Sequence, residues 1–110
     1  RADAIDLARS EEELLIEGAI AEGGRGIYET LVAGGLLSEA LAARGHRIRT
    51  TKLAQSLARL GFTSIPKPVK WGKKPYRWYY RGVMPEHPAA AASDFERARL
   101  DDEIEGEFVD

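Results

Sequence analysis

Between residues 44 and 85 the chain carries Arg44, Arg47, Arg49, Lys52, Arg59, Lys67, Lys70, Lys73, Lys74, Arg77 and Arg81, and not one Asp or Glu. A solvated protein face ordinarily mixes both signs of charge. Cations at this density with no carboxylate to neutralise them attract a polyanion, and their N–H groups are donors for phosphate oxygens. The run therefore points to a phosphate-bearing partner. The 18 acidic residues are split equally between residues 1–43 and 86–110, so a net charge of −2 conceals a basic middle between acidic flanks.

Other chemistries are poorly provided for. The chain has no Cys, which excludes disulfides, cysteine-based zinc sites and a thiol nucleophile. His46 and His87 lie far apart without spaced acidic partners, so neither a metal site nor a cofactor is expected. Ser56 has no nearby His, and the acids show no paired spacing of the kind general acid–base catalysis uses, so the chain does not read as an enzyme. The glycine-rich GGRG at 23–26 lacks the Walker spacing and the following Lys-Ser/Thr, and reads as a helix-breaking loop.

With 110 residues, 44% of them apolar and 31% charged, the chain suits one small soluble domain. No apolar run approaches the roughly 20 residues of a membrane span. The opening RADAIDLARSEEELL lacks the basic start and apolar core of a secretory signal, which leaves the cytoplasm as the expected compartment. The first residue is Arg1 rather than Met, as in a processed product or a piece of a larger protein, so part of the function is expected outside this sequence.

The elements that must position the cations follow from the spacing of apolar residues. Ser10-Glu11-Glu12-Glu13 fits a capping box and starts a helix whose apolar side is Leu14, Leu15, Ile16, Ala19 and Ile20, stopped by Gly23-Gly24. Ile27, Tyr28, Leu31 and Val32 predict a second short helix, ended by Gly34-Gly35. Leu36 to Arg44 predicts another, with Leu37 and Leu41 inward and Gly45 as its stop. After the tight connection His46-Arg47-Ile48-Arg49, Thr50 or Thr51 is expected to cap the helix KLAQSLARL. There Leu53, Leu57 and Leu60 form a core stripe, and Lys52, Gln55, Ser56 and Arg59 form the opposite face.

Beyond Gly61 the period changes to two. Phe62–Ile65 and Val69–Trp71 read as extended, Gly72-Lys73-Lys74-Pro75 as a turn with a basic tip, and YRWYYRGV as a returning strand. Trp71, Trp78 and Tyr80 are expected in the core. Tyr79, of opposite parity, is the candidate for stacking on an exposed base. PEHPAAAAS reads as a linker. Ser93 and Glu96 can cap a last helix carrying Phe95, Leu100 and Ile104, and DDEIEGEFVD is acidic enough to be disordered when alone.

Short helix, tight turn, polar-faced helix and basic-tipped hairpin is the order of a winged helix-turn-helix, a mostly α fold with a small β-hairpin (α+β). Its expected limits are residues 36–83, with N-terminal helices (1–35) packing on it and a linker and acidic tail (84–110) following. The B-form major groove admits one helix with long polar side chains, here Lys52, Gln55, Ser56 and Arg59. Arg47 and Arg49, with Thr50 and Thr51 at the helix start, are placed to contact backbone phosphates, which position a protein without reading sequence. Lys67, Lys70, Lys73, Lys74 and Arg77 supply a wing that follows the backbone or enters the minor groove.

The stretch RTTKLAQSLARLGF…VKWGKKPYRWYYRGV resembles the C-terminal winged helix of replication ATPases of phages and mobile elements, including the virulence-associated protein E and phage primase-helicase groups. There a Leu-rich helix ends in a Leu-Gly-aromatic step before a basic wing that closes on aromatics. The likeness covers fewer than half the residues. It implies a DNA-binding role within a replication protein, with any ATPase or primase activity carried elsewhere. Duplex DNA is the expected partner and single-stranded DNA a second form. The competing expectation is a winged-helix protein–protein assembly domain. The acidic tail then serves either as a docking peptide for a partner or as an intramolecular polyanion that folds over the basic strip.

Overall fold

A computed structural model describes residues 10–109, except for the side chains of 103–109. The start of the expected N-terminal segment, residues 1–9, and the Ile104 side chain lie outside the described residues. The protein is α+β, with four helices and small antiparallel sheets among the described residues. Helix α1 (Glu11–Glu22) opens as the sequence predicts, with the Ser10 hydroxyl accepting from the Glu13 amide at 3.2 Å, and it buries Ile16 and Ala19. The Glu13 carboxylate has turned away to pair with Arg59.

The expected second helix is instead a strand. Residues Leu31–Ala33 form β1, and its three residues are all buried. A short apolar run satisfies helical and extended burial equally, and here a partner far along the chain decides. β1 pairs with β5 (Trp78–Tyr80), Val32 opposite Tyr79. Gly34-Gly35 accordingly begins helix α2 (Gly34–Ala43) rather than ending an earlier one. The Gly34 amide donates to the Arg77 carbonyl at 2.8 Å, and a Cβ at Gly34 would stand 3.0 Å from the Tyr79 ring, so α2 leaves the sheet too closely for a side chain there without a small shift.

Helix α3 (Thr50–Arg59) buries Leu53 and Leu57, with Leu60 just beyond its end. Gly61 takes a φ of +95°, and the Phe62 amide returns to the Leu57 carbonyl at 2.9 Å, the glycine-terminated closure that the sequence predicts. The cap at its start differs from expectation. Arg49 occupies the N-cap position without a side-chain bond, and Thr50 and Thr51 are the first helical residues.

Strand β2 (Thr63–Ser64) pairs with the other edge of β5, giving a sheet of order β1-β5-β2. Successive strand residues point to opposite faces. Val32 and Tyr79 face α1, α2 and α3, where they join Ile16, Leu37, Leu41, Leu53, Leu57 and Phe62 in one cluster. Leu31, Ala33 and Trp78 face the other way and need a second cover. That cover is the hairpin of β3 (Val69–Trp71) and β4 (Lys74–Tyr76), closed by Gly72-Lys73, together with helix α4 (Pro88–Val109). Trp78 Nε1 donates to the Val69 carbonyl at 3.1 Å, and both Trp71 and Tyr76 meet its ring edge to face.

The expected linker is thus the start of α4. Pro88 suits a first helical position, which needs no amide donor, and the alanines that follow are the strongest helix formers. Ala92 is fully buried against the hairpin, Trp71 Nε1 donates to Ser93 Oγ at 3.0 Å, and Phe95 stacks on Tyr28. The Tyr28 hydroxyl donates to Glu96 at 2.8 Å and accepts from the Gly26 amide at 3.0 Å. Ser93 and Glu96, expected as a cap, are mid-helix contacts to the body. These contacts make the first half of α4, through Glu96, integral to the body rather than part of a free tail.

Burial pushes the Tyr28 phenol up to about 12. The hydrogen bond from Arg99 holds the Glu96 carboxyl below its ordinary value of 4.5. A raised Tyr28 contributes stability below pH 10 that is lost as pH rises to about 12, and a lowered Glu96 contributes stability above about 4.5 that is lost as pH falls through its depressed value. Spectrophotometric titration should therefore show one of the four tyrosines ionising near pH 12. Deleting residues 86–110 should return that tyrosine to about 10 and lower the melting temperature. An unchanged titration after deletion would mean that α4 does not bury Tyr28.

Candidate nucleic-acid interface

The chain directions of α2 and α3 are set by their leucines, and the polar face of α3 is what remains. Thr50, Thr51, Lys52, Gln55 and Arg59 are exposed. Ser56, expected on this face, is only 1% exposed. Buried to that degree, it cannot reach a groove. Arg59 is exposed but committed, since its guanidinium lies 3.3 Å from the Glu13 carboxylate of α1, whose side chain is 9% exposed. Among the candidate residues of α3, Thr50, Thr51, Lys52 and Gln55 remain available.

Arg47 and Arg49 are exposed on the turn before α3, held by half-buried Ile48, which packs on the core. They adjoin the amide groups of the first turn of α3, whose partial positive charge adds to theirs. Beside this end of the helix runs an open groove of about 340 Å³ with walls from Thr50, Thr51, Ala54, Ala58, Ser64 and Arg77 and a floor of Phe62 and Tyr79. A second groove of about 240 Å³, bounded by Gly34, Gly35 and Ser38, meets it at Thr50, Arg77 and Tyr79. Arg77 therefore belongs to the helix side and not to the tip of the wing. Its guanidinium donates weakly to Ser64 Oγ and to the Ile65 and Pro66 carbonyls at 3.4–3.5 Å, leaving it exposed at the junction.

Tyr79 is 6% exposed and cannot stack on a base. Both faces of β5 are covered, one by the helices and the other by the hairpin and α4, so the parity that removes Tyr79 from the Trp78 face turns it into the helical core. Lys67, Lys70, Lys73 and Lys74 are exposed on the β3–β4 hairpin and the segment leading into it. Because that hairpin folds across the sheet face opposite the three helices, these lysines form a group of their own rather than an extension beside α3. The structure thus gathers Arg47, Arg49, Thr50, Thr51, Lys52, Gln55 and Arg77 on one side of the sheet and the lysines on the other.

The remaining cations of the basic run serve the fold. Arg44 pairs with Glu22 at 2.5 Å, and Arg81 stacks on Phe62 at 4.7 Å and donates to the Glu29 carbonyl at 2.9 Å. The acids of α4 do not neutralise the hairpin among the described residues. Asp94 pairs with Arg97 and Glu96 with Arg99, each within the helix. One cation outside the run joins the hairpin: Arg25, from the GGRG loop, lies 4.3 Å above the Trp71 ring. No spacing in the sequence brings Arg25 to Trp71, because their meeting depends on the hairpin folding back. No described helix is long and apolar enough to cross a membrane. Comparison with family models, curated proteins and solved structures gives no match to this chain.

The Arg59–Glu13 pair yields a measurable consequence. Arg59→Ala strips a buried carboxylate of its partner and should cost about 1–2 kcal/mol. In a Glu13→Gln background the same change should cost much less, a coupling that a double-mutant cycle by urea denaturation reads directly. Equal costs in the two backgrounds would show that the pair does not hold α1 to α3.

Proposed function

We propose that this chain is a duplex-DNA-binding module of the winged-helix type, in which α3 enters the major groove and the turn before it contacts the flanking backbone. The observation that carries the reading is the connectivity. Helix, strand, two helices, strand, hairpin and strand follow one another, with the last strand central between the first two, and α3 stands at the surface with a face free of acids. Lys52 and Gln55 supply the donors and acceptors that base edges require, and Thr50, Thr51, Arg47, Arg49 and Arg77 supply phosphate contacts. The resemblance of residues 49–83 to the winged helices of phage and mobile-element replication ATPases supports a role within such a protein or in a small cytoplasmic regulator.

Lys52→Ala combined with Gln55→Ala should weaken duplex binding at matched salt while shifting stability by about 0.5 kcal/mol or less, since both side chains are exposed. For the parent chain, log K should fall linearly with log salt through counterion release. Fluorescence anisotropy with a labelled duplex reads both quantities. Undiminished binding by the double variant would remove α3 from the interface. Duplex binding too weak to detect even in low salt would sink the DNA reading and favour a protein-assembly domain.

A further inference from the structure

The hairpin turn and the GGRG loop come from opposite ends of the fold and meet at one point. Arg25 extends from its glycine-flanked loop across the face of Trp71, with its guanidinium carbon 4.3 Å from the ring centroid. Gly72, at a φ of +70°, shapes the turn, and Arg25 Nη2 lies close to it, 3.3 Å from where a Cβ would stand. Lys73 and Lys74 follow directly in the turn and are exposed. We propose that Arg25, Lys73 and Lys74 form a second phosphodiester-binding surface, separated by the sheet from α3, which grips nucleic-acid backbone without reading bases. The inference rests on the DNA-binding reading given above and adds to it a residue outside the basic run and a second face.

Three features make this a surface for phosphate rather than a solvated edge. Trp71 cannot drift, because its indole N–H is held by Ser93 Oγ at 3.0 Å and its ring is packed against Trp78. A guanidinium stacked on a fixed indole loses little further freedom when its edge donates to a phosphate, and stacking leaves that edge open. Arg25 acts electrostatically on the Glu96 carboxylate, which is already hydrogen-bonded by Arg99 at 2.6 Å and by the Tyr28 hydroxyl at 2.8 Å. Among the described residues no ion pair neutralises Arg25, Lys73 or Lys74. The backbone they hold belongs either to the duplex read by α3 or to a second segment of nucleic acid.

The test compares Arg25→Gln, Arg25→Lys and the parent chain for duplex affinity across a salt series, with melting temperatures measured alongside. Each phosphate contact contributes about one unit to the slope of log K against log salt, so Arg25→Gln should make the slope shallower by about 1. Arg25→Lys keeps the charge and should restore the slope, which a merely structural role on Trp71 would not do. Energy transfer between two differently labelled duplexes then separates the sources. Transfer that rises with the parent protein indicates two segments held at once, and its absence together with the altered slope indicates one duplex touching both faces. An unchanged slope in Arg25→Gln, with binding still sensitive to Lys52→Ala and Gln55→Ala, would overturn this second surface alone. Failure of the parent chain to bind any duplex would instead overturn the reading on which it rests.

Discussion

The indole of Trp78 is completely removed from water at the centre of a sheet whose strands are two and three residues long. A sheet that small has no interior of its own, so burying a side chain on each face of β5 requires a separate layer on each side. Tyr79 is covered by the three helices. Trp78 is covered by a hairpin that must fold back to reach it, fixed by the bond from its N–H to the Val69 carbonyl. The hairpin in turn exposes Trp71, and α4 closes over that ring with Ala92 and Ser93. Burial of one residue thus draws in both the hairpin and the start of α4.

That constraint shapes the proposed function as much as the fold. A hairpin free of Trp78 would project beside α3 and add its lysines to the same face. Held by Trp78, it carries them behind the sheet and brings the turn to Arg25. Arg77, at the root of the hairpin, stays with α3 because the Arg77 carbonyl accepts the first amide of α2. The basic run is contiguous in sequence and divided in space, and each half keeps its own neighbours.

The parts legible in the sequence were those governed by local rules. Leu53, Leu57 and Leu60 placed the inner side of α3, and glycine fixed the helix ends at Gly45 and Gly61. The turn at Gly72-Lys73 and the core roles of Trp71 and Trp78 were read from composition and parity. The rest depended on partners distant in the chain. Leu31, Val32 and Ala33 form a strand only because β5 lies beside them. Pro88 to Ala92 favour helix locally, and the hairpin they cover makes that helix part of the body rather than a linker. For the site, single-helix reasoning counted Ser56 and Arg59 as free, because α1 is invisible from within α3. It assigned Tyr79 outward, because parity tells one face from the other without telling whether the second is covered. Arg25 gave no signal, being one cation among glycines.

In the proposed complex the exposed face of α3 and the turn before it meet duplex DNA. Amide chemical-shift mapping of the labelled chain against a short mixed-sequence duplex tests it most directly, because it reports each contact position without altering a residue. The largest shifts are expected at Arg47, Arg49, Thr50, Thr51, Lys52 and Gln55, with a second set at Arg25, Lys73 and Lys74 and little change along Ile16 and Ala19 of α1. Shifts confined to α1 or α4, or none on α3 at saturating duplex, would contradict it.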